Sequence, residues 1–322
     1  MAYFQWSDWL KSTAIKNGKR PVFINLDETS IARSWPQAKG HVVRPHMWVS
    51  KHRPPKAKAS RAEYRGTVTG VVMITHDAAV QKVLPQIYIG NGHIFQVAEL
   101  AAAAAEHPQT VQFWREKSSW NSVALMTKIL KMLAESLAAF PDIQPILVFD
   151  AASIHIHRDV LEESIRSRLW LLCVPAKTTW LLQPLDTHVF ARYKSFLRQH
   201  WRHLIASGSA TFRSWMNLLS RVSVEFLQSI DWTSAFIQDG LVGHRDQLSK
   251  RLSAYLGDRI STQACCAAQP TSEQVALCLP QRSRIHYQIW MHQPQGRKRW
   301  IFLRHATAKK RTASTKASSQ SK

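Results

Sequence analysis

The sequence predicts an α/β fold, and three observations carry that reading. Short apolar segments rich in β-branched residues recur between turn formers, as strands require: PVFINLD from Pro21, then YRGTVTGVVMITHDA, KVLPQIYIG, QPILVFD and LWLLCVP. Among them lies a stretch of helical periodicity, SSWNSVALMTKILKMLAESLAAF, where Val123, Met126, Leu130, Leu133 and Leu137 recur at spacings of three and four. The chain of 322 residues is 45% hydrophobic, enough to build a buried core for one large domain.

Taken in order, residues 1–20 read as a lead-in, and the first strand runs from Pro21 to a polar end at Asp27. A loop rich in Lys, Arg and Pro, Ser50 to Arg61, precedes the next two strands. The alanine run Ala101 to Ala105 is low-complexity filler of a helix or loop. The following helix has Asn121 available as its cap. Ile146 to Phe149 form a buried strand ending in Asp150, RDVLEESIRSRLW is a helix, and LWLLCVP is the next strand. In LLQPLDTHVFARYKSFLRQHW, Pro184 suits a first helical turn, and an acid just after it suits the helix dipole. On a 100° wheel Val189, Phe190, Tyr193, Phe196, Leu197 and Trp201 share one face, while Arg192, Ser195, Arg198 and Arg202 occupy the other. Asp186 falls on the apolar side, so its carboxylate is expected to face the protein body.

Beyond residue 205 the pattern stays helical, with Trp215, Leu218, Leu219, Val222 and Phe226 spaced as a core stripe and a short helix around QLSKRLSAYL. The expected organisation is a lead-in (1–20), a sheet-bearing domain (21–205), a helical extension (206–257) and a polar region with a partly disordered basic tail (258–322). No internal repeat, P-loop or zinc-ligand spacing occurs.

Forty-three Lys and Arg against twenty-one Asp and Glu leave a net charge of +22, which attracts polyanions such as nucleic acid and argues against small neutral substrates. Cys173, Cys265, Cys266 and Cys278 form neither a C-x-x-C pair nor a disulfide frame and read as reduced thiols. No apolar window suits a signal peptide or a membrane span, so a soluble chain with no membrane partner is expected.

In so basic a chain three aspartates hold privileged places: Asp27 and Asp150 at strand ends, and Asp186 at a helix start. Side by side, such acids would repel unless a proton or a metal ion offset the charge. Mg²⁺ suits them, because it takes oxygen ligands and is held by one or two carboxylates plus substrate phosphates. Two ions about 4 Å apart would clamp the attacking and leaving oxygens of an in-line phosphoryl displacement.

Four stretches then carry a resemblance: FINLDETSI (Phe23 to Ile31), RGTVTGVVMITHDAAVQKVLPQIYIG (Arg65 to Gly90), ILVFDAASIH (Ile146 to His155) and VPAKTTWLLQPLDTHVFARYK (Val174 to Lys194). In order and spacing they resemble the DDE superfamily endonuclease domain of pogo-, jerky- and tigger-type transposases, over roughly residues 20–240. LLQPLD with TT upstream is the most specific of these signals. The resemblance implies an RNase H-like fold, a mixed central sheet flanked by helices. It further implies that Asp27, Asp150 and Asp186 are the catalytic triad and hold Mg²⁺ or Mn²⁺ as a two-metal site for DNA cleavage and joining. The chain departs from the family pattern at Ala151, Ser153, Lys177 and His188, where Asn, Pro, Asn and Gly are usual. His155 matches a family position and reads as a cap of the next helix, with direct chemistry as its other reading. Glu28 is on the opposite face of the strand from Asp27 and reads as structural.

With Asp27 so near the start, no helix-turn-helix region is expected ahead of it, and site-specific end recognition is not expected either. DNA is then the expected partner through its phosphates, neutralised by Lys51, Arg53, Lys56, Lys58 and Arg61 in the loop and by Arg297, Lys298, Arg299, Lys309, Lys310 and Arg311 near the end. KKR at 309–311 resembles a nuclear-import signal. A homodimer is implied by the resemblance, and no small-molecule cofactor is expected. The first functional reading is a metal-dependent DNA endonuclease or strand-transferase. The alternatives are a catalytically silent, transposon-derived nucleic-acid binder and a basic scaffold whose acids are structural.

Overall fold

The computed structural model describes residues 2–32, 67–104, 106–209, 211–257, 268–271, 274, 278, 288–292 and 298–302. The elements are α1 (Ala2–Lys16), β1 (Arg20–Ala32), β2 (Thr67–Thr75), α2 (Ala78–Gln81), β3 (Gln86–Asn91), α3 (Val97–Ala104), β4 (Val111–Glu116), α4 (Val123–Ser136), β5 (Ile143–Asp150), α5 (Arg158–Arg166), β6 (Trp170–Val174) and α6 (Thr179–Leu182). A π-helical turn, Leu185–Val189, leads into α7 (Phe190–Ala206). Then follow α8 (Phe212–Val222) with a π-helical end at Ser223–Gln228, α9 (Thr233–Gln238), α10 (Lys250–Leu256), β7 (Gln288–His292) and β8 (Lys298–Phe302).

Six strands form one mixed sheet in the order β4-β3-β2-β1-β5-β6. β1 runs antiparallel to β2 and parallel to β5; β2 and β3 are antiparallel, and β6 continues parallel to β5. Strands β3-β2-β1-β5-β6 thus give the RNase H-like arrangement, with β4 added parallel to β3 at the edge. β1 lies inside this sheet because Val22, Phe23, Ile24 and Leu26 are all fully buried, as expected of a strand covered on both faces. The parallel pairing of β1 with β5 sets Asp27 and Asp150 just beyond the last paired residues, Asn25 and Val148. Asp150 ends β5 as expected, but β1 continues past Asp27 to Ala32, still paired with β2, so Asp27 lies within its strand and not at its end.

The helical extension shares the core of the sheet. Trp215, Leu218, Leu219 and Val222 are buried in the same hydrophobic cluster as β1 and β5. Tyr88 of β3 joins the layers: its hydroxyl lies 2.8 Å from that of Tyr193 in α7 and 2.6 Å from Ser223 Oγ. All three groups are buried, so each needs a partner, and each finds one here.

Four details differ from the sequence reading. Residues 2–16 of the lead-in form α1, which buries Tyr3, Phe4, Trp6, Trp9 and Leu10. It also buries Ser7 and Asp8, which blurs any periodic stripe; Asp8 is matched by a two-oxygen contact with Arg245 at 2.7 Å. β4 was not anticipated from VQFWRE, and Ser122, not Asn121, caps α4 by accepting from Leu125 N. In the expected polar region, β7 and β8 pair antiparallel as a separate two-stranded sheet. The terminal stretch 303–322 lies outside the described residues.

Candidate active site

Asn25 is the pivot of the candidate site. It is a fully buried polar residue in an apolar strand, two positions before Asp27. Its Nδ2 donates to Val148 O at 2.9 Å, and its Oδ1 accepts from Leu185 N at 2.7 Å. Val148 stands two residues before Asp150, and Leu185 one before Asp186. One amide therefore ties together the three segments that carry the acids, and within β1 and β5 the acids each lie two residues beyond the Asn25–Val148 pair.

The acids are close enough to feel one another. Asp27 is raised well above the ordinary carboxylate range, first by burial, then by the negative charges of Glu28, Asp186 and Asp150. Its Oδ1 accepts from Glu28 N at 2.7 Å, which opposes the rise. Burial pushes Asp150 upward as well, but His155 and the Ala152 N–H hold it below its ordinary value. Lys194, on α7, is lowered by burial, while Asp186 and Asp27 pull it back up; its amine thus lies within the field of both acids.

His155 is fully buried between two carboxylates. Its Nδ1 is 2.6 Å from Asp150 Oδ1, and its Nε2 is 3.1 Å from Glu28 Oε1. Burial alone would lower the imidazole, yet these hydrogen bonds and charges hold it up at about 10. It is therefore an imidazolium at neutral pH, donating from both nitrogens. Asn121 donates to the same Glu28 oxygen, bringing the start of α4 to the site.

Two expectations need correction. Asp186 is exposed where a buried position was expected, although its charge still reaches Asp27 and Lys194. The wheel assumed 100° per residue, but Leu185–Val189 is π-helical, with Phe190 N bonded to Leu185 O, and the wider turn changes which residues face inward. The rest of the wheel holds: Val189, Phe190, Tyr193, Leu197 and Trp201 are buried, and Arg192, Ser195, Arg198 and Arg202 are exposed. His155 does not cap α5, because His157 does so by accepting from Asp159 N. Glu28 makes a structural contact, since His155 links it to Asp150.

Residues 68–236, just over half of the chain, match the family model described as DDE superfamily endonuclease. The chain belongs to the DDE superfamily endonuclease family. The match includes Asp150 and Asp186 and begins after Asp27. No curated protein is matched. Among solved structures the chain is similar to that titled "Mos1 transposase paired-end complex with left transposon end", at 14% identity, 74% coverage of this chain, 62% of that chain and a TM-score of 0.36. It is also similar to "Crystal structure of the Mos1 Strand Transfer Complex", at 15% identity, the same coverages and a TM-score of 0.34. The chain thus spans about three fifths of the length of those transposase chains.

Within this DDE endonuclease chain, His188 stands where the family usually has Gly. The structure gives it a partner, for His188 Nε2 lies 3.2 Å from Asp239 Oδ1, and Thr187 Oγ1 donates to Asp239 Oδ2 at 2.6 Å. Asp239 is buried, which raises its carboxyl, while these two contacts hold it down. The π turn that presents Asp186 is thereby fastened to the end of α9. Asn25, Lys194 and Asp239 were not singled out from sequence; the available signal was Asn25 itself, a lone amide inside an apolar strand two residues from an acid. Of the basic candidates, Lys298 and Arg299 begin β8, while Lys51, Arg53, Lys56, Lys58, Arg61, Arg297, Lys309, Lys310 and Arg311 lie outside the described residues.

Proposed function

We propose that this chain is a DDE endonuclease domain of the pogo, jerky or tigger transposase type, which binds DNA and cleaves or joins its phosphodiesters with divalent metal held by Asp27, Asp150 and Asp186. The observation that carries the reading is Asp27, a carboxylate lifted out of its ordinary range by burial, by the charge of Glu28 beside it and by those of Asp186 and Asp150 on separate elements. Crowded like charges are what a divalent cation relieves, and an all-oxygen donor set fits Mg²⁺ or Mn²⁺. Among the described residues no three His, Cys, Asp or Glu side chains are already grouped so as to hold a metal ion. When bound, divalent metal supplies charge neutralisation at the scissile phosphate and activation of a water or 3′-hydroxyl nucleophile.

The chain's own residues do the rest. His155 fixes the orientation of Asp150 by holding Oδ1, and Asn25 fixes the spacing of the three acid-bearing segments. Lys194 places a cation near Asp27 and Asp186, suited to an incoming phosphate. The DNA backbone is the proposed partner, with the basic loop at residues 51–61 and the basic end at residues 297–311 supplying phosphate contacts. Homodimerisation and nuclear residence, the latter on KKR at 309–311, complete the proposal. No helix of the described residues is long and apolar enough to cross a membrane.

Ala151, in place of the family's Asn beside the second acid, favours a second reading, a silent nucleic-acid binder. Plasmid nicking separates the two. The endonuclease reading expects Mn²⁺- or Mg²⁺-dependent nicking that Asp150→Ala abolishes. The same background in both proteins, with DNA binding retained, leaves only the binder.

A further inference from the structure

Large exposed aromatic side chains are few among the described residues: Trp120 at 76% exposure, Trp180 at 47% and Tyr255 at 61%. The remaining large rings of the domain serve mainly as core. Trp180 and Tyr255 are not scattered, because their ring centroids lie 6.2 Å apart with planes at 87°. Trp180 is held at three points. Its Nε1 donates to Lys177 O at 2.9 Å, its carbonyl accepts from Arg251 Nη1 at 3.1 Å, and the Arg251 guanidinium lies 5.9 Å from its ring centre. Arg251 and Tyr255 are four residues apart on α10 and so share one face of that helix. Lys177 and Lys250 are exposed beside these residues in sequence.

We propose that Trp180, Tyr255 and Arg251 form a stacking platform for unpaired DNA bases next to the candidate active site. The inference rests on the reading of the chain as a DNA-acting domain, and it adds the form of DNA held there. Exposed rings interleaved with cations are the combination that binds single strands, because rings stack on bases while cations meet phosphates. Duplex DNA hides its base faces within the stack, so the platform selects bases that are already unpaired. Its position suits strand cleavage: Trp180 lies on α6, six residues before Asp186, with only Gln183 and Pro184 between α6 and the π turn.

Fluorescence anisotropy of the full chain with a labelled single-stranded oligonucleotide, and with the matching duplex at the same ionic strength, tests this. Trp180→Ala and Tyr255→Ala should each weaken single-strand binding roughly tenfold, the scale of one lost base stack. Duplex binding should stay within about twofold, and Trp180→Phe should retain most of the single-strand affinity. Thermal melts run in parallel should show all three variants folded, as expected for changes at exposed rings. Wild-type single-strand affinity in both alanine variants overturns the platform, as does an equal loss on both forms of DNA. Either of these results leaves the endonuclease reading standing, whereas a wild-type chain that binds neither form of DNA overturns both.

Discussion

Replacing Asn25 with alanine removes the side chain that spans β1, β5 and the π turn. Two backbone groups then lose their partner: the Val148 carbonyl, bonded at 2.9 Å, and the Leu185 N–H, bonded at 2.7 Å. Both residues are fully buried, so water does not replace the lost amide. Leaving a buried backbone group unsatisfied costs about 1–3 kcal/mol, so the pair costs about 2–6 kcal/mol. Urea unfolding of the full chain, followed by tryptophan fluorescence and extrapolated linearly to water, measures this directly. Where the variant remains folded, the acids are also released from their fixed spacing, and metal-dependent nicking should fall further than the unfolded fraction explains. Asn25→Asp should not rescue it, because the carboxylate keeps the acceptor for Leu185 but loses the donor to Val148 and adds charge near Asp27. A loss below about 1 kcal/mol in Asn25→Ala, with nicking intact, would refute the reasoning.

Acid should weaken the fold through His76. Burial drives its imidazole from the ordinary 6.5 down to about 4, and its Nε2 accepts from Phe23 N. Between those values the unfolded chain binds a proton that the native one refuses, so stability is complete above pH 6.5 and is lost as pH falls toward 4. The full loss is about 3 kcal/mol, and the difference between wild type and His76→Gln across that range should show it; parallel pH profiles would rule His76 out. At Gly90 an added Cβ would sit 2.5 Å from the buried Phe95 ring. Gly90→Ala should therefore cost about 1–3 kcal/mol in a thermal melt, with partial recovery on adding Phe95→Leu; an unchanged melt would show that the ring can yield.

Local sequence patterns determined most of the central architecture. Strand-length apolar runs marked β1, β2, β3, β5 and β6, and spacings of three and four marked α4, α7 and α8, because burial of one face is a local periodic demand. Local chemistry also singled out Asp150 and Asp186, which lie within the family match, and Asp27, which precedes it. α1 escaped because its buried face includes Ser7 and Asp8, which breaks the apolar stripe; Asp8 is matched by Lys11 one turn on and by Arg245, 237 residues away. The exposure of Asp186 escaped because a π turn alters the angle between residues, and nothing in a 100° wheel records it. Likewise His155 is held charged by Asp150, five residues away, together with Glu28, 127 residues distant, and Asn25 gains its role from Leu185, 160 residues distant. Sequence alone thus determined the central strands and helices and singled out the acids they carry. Tertiary structure decided how those acids are spaced, charged and held, because such properties depend on partners that meet only when the sheet and helices close.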